Sequence, residues 1–233
     1  MDETALIEKL GERNWWHSFK TKKVLELVEG NDILDLACGP GSIGEKLLAK
    51  GKRVTFLDNS KESLKLLRKK HADDDNARVV DGDASRLKFS EEFDCCICAD
   101  ALEHMEDDVK VLNGVNRALR KGGCIIINSP AVKSAFNEHD RALGHLRRYD
   151  RQELVSKLGQ AGFRVEFIKP WNFISLAAKY FSKFIGKRET DLFWKMTDSP
   201  LNGVLKSWLE IEWLLPLSTG SSIIIKARKV RSA

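Results

Sequence analysis

The sequence predicts an α/β protein built on a mostly parallel sheet. Three observations carry this. Asp32-Ile33-Leu34-Asp35-Leu36 runs as a short buried strand into the turn Gly39-Pro40-Gly41, after which helical spacing resumes from Ile43 to Lys50. Strand-like and helix-like stretches alternate from residue 31 to residue 170, the signature of strands joined by crossover helices. Phe93-Asp94-Cys95-Cys96-Ile97-Cys98-Ala99-Asp100 is almost continuously apolar, as expected of a strand covered on both faces, and it should lie beside the first strand.

Thr4–Leu10 and Trp15–Val28 read as helices, the second with Trp16, Phe19, Lys20, Lys23 and Leu27 near helical spacing. The Trp15-Trp16 pair fits a helix packed on a sheet edge, and its position also allows a lid over a cleft, with Trp16 touching a substrate. Ser42–Lys50 is a helix stopped by Gly51, and Arg53–Asp58 is the second strand. A helix follows over Lys61–His71, then a third strand and turn over Ala77–Ala84. After Phe93–Asp100 comes Ala101-Leu102-Glu103-His104, then a helix running to Arg120 and closed by Gly122-Gly123. Cys124–Pro130 is the fifth strand, Arg164–Ile168 the sixth and Ser222–Arg228 the seventh. The connection between the last two carries apolar residues at helical spacing, Phe173, Ile174, Ala177, Phe181 and Phe184 in one stretch and Trp208 and Trp213 in another.

The chemistry concentrates at predicted strand ends. A helix opening from a glycine turn presents free N–H groups to a polar or anionic ligand. Gly39, Gly41 and Gly44 satisfy the spacing of a dinucleotide fingerprint, so the glycines alone do not separate a nicotinamide ligand from another adenosine ligand. Asp35 helps to choose, because a carboxylate four residues before the first glycine suits a cationic ligand. Asp58 follows Gly39 by 19 residues, the spacing at which an acid can accept both hydroxyls of a ribose.

The run Asp35-Leu36-Ala37-Cys38-Gly39-Pro40-Gly41 resembles the first motif of the class I S-adenosylmethionine-dependent methyltransferases. The resemblance implies a doubly wound, Rossmann-like sheet of seven strands whose antiparallel last strand lies beside the sixth. It implies S-adenosyl-L-methionine as cofactor, held by Asp35, Ala37, Gly39, Gly41, Asp58, Asn59, Asp83, Ala84 and Asp100. In that family Asp35 would meet the methionyl amino group through water, and Asp83 and Ala84 would read the adenine. The Leu102-Glu103-His104 segment recurs in the family where methyl donor meets acceptor. The run from His139-Asp140 to Gly144-His145-Leu146-Arg147-Arg148-Tyr149 resembles one found after the fifth strand in a subgroup. These 14 residues from Asn137 read as too polar for a core, and as either an exposed hinge or an acceptor-binding loop using His139, Asp140, Arg147, Arg148 and Tyr149. Paired guanidiniums there would suit an acceptor carboxylate or phosphate. His104, His139 and His145 are the candidate bases for a hydroxyl acceptor.

Composition narrows the classes. At 233 residues the chain can bury one sizeable core: N-terminal helices over 1–30, a cofactor-binding core over 31–170, a helical insertion over 171–217 and a last strand and tail over 218–233. Met1–Leu10 carries four charges and no apolar signal core, and the longest uncharged run, Trp213–Ile225, is 13 residues broken by Pro216 and Gly220. A soluble, cytoplasmic protein is the expectation, with peripheral membrane association left open. The five cysteines read as small buried hydrophobes, the spread of the aspartates offers no metal set, and Cys95 and Cys98 should face opposite sides of their strand. Residues 171–233 hold ten Lys/Arg against five Asp/Glu, the whole of the net +5, which is either a solvated basic face or a surface for an acidic partner. The insertion fits a cap over a small-molecule or lipid-like acceptor, a peripheral membrane contact through 171–216, or a homodimer surface. Nucleic acid is disfavoured, because Asp100-Ala101-Leu102-Glu103 stands where a base-flipping motif would. A non-catalytic adenosyl-ligand binder and an NAD-dependent oxidoreductase are the rival readings.

Overall fold

The computed structural model describes residues 14–185 and 201–231, with the side chains of 182–185 left aside. The predicted helix Thr4–Leu10 lies outside these residues, as do the side chains of Lys183 and Phe184. The elements run α1 (Trp15–Leu27), β1 (Asp32–Leu36), α2 (Ser42–Leu48), β2 (Arg53–Asp58), α3 (Lys61–Lys70), β3 (Ala77–Asp81), β4 (Phe93–Ala99), α4 (Asp108–Ala118), β5 (Leu119–Pro130), α5 (Glu138–Ala142), α6 (Arg151–Gln160), β6 (Phe163–Trp171), α7 (Phe173–Ile185), α8 (Leu201–Leu214) and β7 (Ser222–Lys229).

The strands form one seven-stranded sheet in the order β3-β2-β1-β4-β5-β7-β6. β1 pairs in parallel with β2 and β4, and β7 runs antiparallel between β5 and β6. The order therefore reverses between β1 and β4, the crevice where doubly wound sheets bind ligands at the carboxyl ends of their strands.

Alternation along the central strands feeds two cores. Cys96, Cys98, Ile125, Ile127 and Ile225 face α4 and α6 on one side, with Val111, Val115, Leu154 and Leu158. Cys95, Ile97, Cys124, Ile126 and Ile224 face the other side, with Trp15, Phe19, Leu205 and Leu209 from α1 and α8. Cys95 and Cys98 thus lie on opposite faces, and all five cysteines are free thiols. Cys95, Cys96, Cys98 and Cys124 fill space within and between neighbouring strands, where burial of each such side chain is worth about 1 to 3 kcal/mol, while Cys38 lies half-buried in the turn after β1. α1 packs on the face of the sheet at β5, beside α8, instead of on an edge.

Several expectations are corrected. The helix predicted to reach Arg120 stops at Ala118, and β5 begins at Leu119, which pairs with Phe93. Gly122 and Gly123 belong to an irregular start of β5, not to a helix cap: a Cβ on Gly123 would stand 3.0 Å from the carbonyl oxygens of Arg120 and Asp94. The third strand stops at Asp81, before the short turn of helix Ala84–Arg86. The basic surplus of the last strand is consumed within the chain. Arg228 bridges Glu166 and Glu29, Lys226 pairs with Glu29, and Lys229 donates to the Leu119 carbonyl at 2.8 Å, so these cations need no acidic partner.

Glu212 ties the insertion together. It is buried on α8, its Oε1 accepts from the Phe173 N–H at 2.9 Å and its Oε2 from Trp208 Nε1 at 3.2 Å, so a side chain from α8 caps the start of α7. Glu212→Ala is expected to cost about 1 to 2 kcal/mol, read as a lower urea midpoint at unchanged slope.

Candidate functional site

The turn after β1 is held from below and from the side by two carboxylates. Asp35, 4% exposed, accepts from the Gly44 N–H at 3.0 Å, and a Cβ on Gly44 would meet Asp35 Oδ2 at 2.9 Å and Phe56 Cε1 at 2.3 Å, so only glycine lets α2 pack this close to β2. Gly41, at φ +85°, gives α2 its left-handed entry. Asp58, at the end of β2, accepts from the Gly39 N–H at 2.7 Å and from the Ser60 N–H at 2.8 Å. It is therefore a brace for the turn and not the cap of α3, which is Ser60, accepting from Ser63 N at 3.3 Å. Nothing in the described chain lies within 4 Å of where a Cβ on Gly39 would stand, so the turn faces open space. Asn59 is exposed beside it, and half-exposed Asp83 accepts from Ser85 N at 2.7 Å in front of buried Ala84.

Backbone strain gathers at the same edge. Ala37, Asp100 and Val132 take φ of 51°, 54° and 65°, a left-handed conformation that L side chains rarely adopt, and they stand just past the ends of β1, β4 and β5. Asp100 is locked there by α1: Lys20, 4% exposed, pairs with one carboxylate oxygen while Asn128 Nδ2 donates to the other at 2.6 Å. Asn128 in turn accepts from Trp171 Nε1 at 3.1 Å, Trp171 stacks on Trp16 with ring centroids 5.9 Å apart, and Lys20 lies over Trp16 at 4.7 Å. Trp16 thus sits at the strand ends as one wall of a closed network. Lys20 is a residue the sequence reading left without a role. Its only signal was a lysine on the apolar stripe of a helix leading into β1.

On the β4 and β5 side, Glu103 and His104 form a short turn of helix and His145 comes over from the later loop. Glu103 is wholly buried, accepts from Ser129 Oγ at 2.7 Å, and is pushed up to about 8 by burial and then by Asp100. The His104 and His145 rings meet edge to face at 4.9 Å, and burial followed by His145 holds His104 below its ordinary value. His104 Nδ1 lies 3.1 Å from the Gly144 carbonyl, and His145 Nδ1 lies 3.0 Å from Asp140 Oδ1. Glu103, His104 and His145 bring one ligand atom each to within 4.8 Å of one another, a set that a count of aspartates does not reveal. His139, half-buried on α5, stands outside that cluster.

The loop from 137 to 150 is not the exposed polar strap its composition predicts. Asp140, Arg148 and Tyr149 are 0%, 4% and 0% exposed. Arg148 grips Asp140 bidentately at 2.8 and 2.7 Å and donates to the Ala131 carbonyl at 3.0 Å; against burial, which raises it, His145 and then Arg148 hold the Asp140 carboxyl well below its usual range. The Tyr149 hydroxyl donates to Asp108 Oδ2 at 2.8 Å, and Arg147 contacts that same carboxylate at 3.1 Å. Asp140, Arg148 and Tyr149 are therefore structural groups and not acceptor ligands, and the two guanidiniums serve different acids instead of one clamp. The reason is pairing: buried charge is tolerated when every donor and acceptor is met.

A separate open groove of about 380 Å³ between α1 and α2, lined by His17, Thr21, Lys22, Lys46 and Lys50, meets the glycine turn only through Ser42. Among the described residues no helix is long and apolar enough to cross a membrane.

Comparison with known proteins accords with this geometry. Residues 33–123 match the family described as a methyltransferase domain. A demethylmenaquinone methyltransferase of Clavibacter sepedonicus is 33% identical over 127 residues, 54% of this chain and 51% of that protein. A ubiquinone biosynthesis O-methyltransferase of Hydrogenovibrio crunogenus is 26% identical over 110 residues, 46% of each chain. The chain thus spans about half the length of the curated relatives it matches. Geranyl diphosphate C-methyltransferase of Streptomyces coelicolor, crystallised with Mg2+, geranyl diphosphate and S-adenosyl-L-homocysteine, shares the fold at a TM-score of 0.67 and 12% identity over 92% of this chain and 78% of that one. The stretch 33–123, which carries the glycine turn and the strand-end acids, thus matches a methyltransferase domain, on a seven-stranded sheet of the doubly wound, Rossmann-like kind.

Proposed function

We propose that this chain is an S-adenosylmethionine-dependent methyltransferase that passes the methyl group, by in-line displacement, to a small-molecule or lipid-like acceptor. The observation that carries the reading is the bond from Gly39 N–H to Asp58 at 2.7 Å, which holds a strand-end acid against the glycine turn at the point where strand order reverses and so supports its assignment to a ribose. The open space over Gly39 fits a cofactor there, with Asp58 and Asn59 at the ribose, Asp83 and Ala84 at the adenine, and Asp35, Ala37, Gly41 and Asp100 around the methionyl end.

Bound there, the cofactor supplies an electrophilic methyl on a sulfonium. The chain's contribution is alignment: holding the acceptor atom, methyl carbon and sulfur collinear in a dry crevice supplies roughly 7 to 11 kcal/mol, so that a strong base is not required. Trp16 walls the crevice, and His104 and His145 present imidazoles on the acceptor side. The quinone methyltransferases among its relatives support a small apolar acceptor. So do the exposed Phe173, Phe181, Val204, Trp208 and Ile211, which we read as the side where a lipid-like acceptor or the membrane carrying it meets the insertion.

Calorimetry with S-adenosylhomocysteine against NAD, followed by transfer of a labelled methyl group to quinone-type phenols, tests the reading. Binding of the first ligand with NAD silent is expected, and preference for NAD overturns it; binding without turnover on any acceptor favours the non-catalytic rival.

Asp35 adds a proton-linked signature. Burial raises it from 3.8 to about 7, with Gly44's N–H and the Lys20 charge working in the opposite direction. Its folded value lies above its unfolded one, so its contribution to stability falls as pH rises between the ordinary carboxylate range and about 7, then levels off. A cationic amino group nearby favours the ionised form, so cofactor binding at about pH 6 should release close to one proton, and none at about pH 8.5. Binding enthalpies compared in buffers of different ionisation heat read this directly, and no buffer dependence at either pH counts against Asp35 as the amino-group partner.

A further inference from the structure

We propose that Glu103, His104 and His145 bind a divalent transition-metal ion at the acceptor side of the crevice. One ring nitrogen from each histidine and one carboxylate oxygen from Glu103 lie within 4.8 Å of one another. Three further observations make this a built site and not a chance grouping.

Glu103 is wholly buried, and only one of its oxygens is used. Oε2 accepts from Ser129 Oγ at 2.7 Å, whereas Oε1 is buried without a hydrogen-bond partner. A buried carboxyl oxygen left without a partner is unfavourable, and a divalent ion that displaces the carboxyl proton would meet it. Among the described residues, the nearby buried cation, Lys20, is engaged by Asp100.

Each imidazole already has one nitrogen committed to an oxygen. His104 Nδ1 faces the Gly144 carbonyl at 3.1 Å, and His145 Nδ1 faces Asp140 Oδ1 at 3.0 Å. Both contacts call for a proton on Nδ1, and that tautomer leaves the Nε2 lone pair as the ligand. A histidine whose outer nitrogen donates to a carboxylate or carbonyl is how metal-bound imidazoles are oriented.

The support behind the ligands is stiff. Asp140 is fixed by the bidentate Arg148, and Glu103 by Ser129 on β5, while exposed His104 sits on the short turn that also carries Glu103. Two nitrogen donors and one oxygen favour Zn2+, Co2+ or Mn2+ over Mg2+ or Ca2+. Three protein ligands leave a coordination position open, as in catalytic sites and unlike closed structural ones. Where the methyl-transfer reading holds, the occupant of that position is an oxygen of the acceptor, which selects hydroxyl- or carbonyl-bearing molecules.

The test is metal binding to the chelator-treated full chain, which needs no turnover and so fails separately from the methyltransferase reading. ZnCl2 is titrated by calorimetry, CoCl2 by visible absorption, and MgCl2 serves as control. Saturable binding of one ion per chain is expected, with Co2+ bands of nitrogen and oxygen coordination. Glu103→Gln, which keeps the Ser129 contact, and His104→Gln, at an exposed ring, should each weaken Zn2+ by at least about tenfold. Circular dichroism melts confirm that both variants fold. Absence of saturable binding, unchanged affinity in either folded variant, or a thiolate-to-cobalt band placing the ion on cysteine overturns the site.

Discussion

Asp58→Ala is expected to lower the affinity for S-adenosylhomocysteine by about 100-fold or more while the protein stays folded. The carboxylate is only 8% exposed at the end of β2, and each of its oxygens already accepts one backbone N–H, Oδ2 from Gly39 at 2.7 Å and Oδ1 from Ser60 at 2.8 Å. A carboxylate oxygen has capacity for a second donor, so the same group can take both ribose hydroxyls without releasing the turn. A hydrogen bond to a charged acceptor is worth about 1.5 to 3 kcal/mol, and losing two amounts to roughly two to four powers of ten in affinity. The fold should survive, because α3 keeps its Ser60 cap and β2 keeps its pairing with β1 and β3. Calorimetry on wild type and variant measures this. A change smaller than about threefold would falsify the assignment of Asp58 to the ribose. Loss of binding does not by itself separate the methyltransferase from an NAD enzyme, since a dinucleotide would use the same acid; the ligand preference of the wild type makes that distinction.

What was legible in the sequence follows from where the information is local. β2 and β4 announce themselves as apolar runs with an acid at or just past the end, and a glycine turn that cannot carry a Cβ at Gly44 is visible as a spacing. Positions that depend on distant partners are not visible in this way. Arg148 finds Asp140 eight residues away and Tyr149 finds Asp108 41 residues away, so a stretch with the composition of an exposed loop becomes core once these pairs close. Lys20 has no evident role on its apolar stripe until Asp100, 80 residues on, is brought to it. The basic surplus over 171–233 read as a solvated face or as a surface for an acidic partner, but for the last strand's share Glu29 and Glu166 arrive as neighbours once the sheet is assembled. Polarity along a chain reports that a group needs a partner. It does not report whether the partner is water.

That distinction decides the second large effect, Arg148→Ala, which is expected to destabilise the fold by about 3 to 5 kcal/mol. Asp140 would remain fully buried with only His145 and its backbone contacts, whereas Arg148 now supplies two charge-assisted bonds and closes onto the Ala131 and Ser221 carbonyls. Removing both partners, as in Asp140→Asn combined with Arg148→Met, should recover part of the loss, because the penalty lies in the bare charge more than in the missing attraction. Acid unfolding gives an independent reading. His145 and Arg148 depress Asp140 below its unfolded value, so its contribution is fully present above the ordinary carboxylate range and is lost as pH falls toward the folded value. Wild type should therefore lose stability steeply below about pH 4, and the double variant should show a shallower slope there. Equal slopes, or an Arg148→Ala variant within about 1 kcal/mol of wild type by urea unfolding, would mean that the pair is ornamental and that the loop is held by Tyr149 and Asp108 alone. The same pair orients His145, so a partly folded Arg148→Ala protein should also show weaker Zn2+ binding, linking the strength of the loop's anchor to the chemistry of the crevice it shapes.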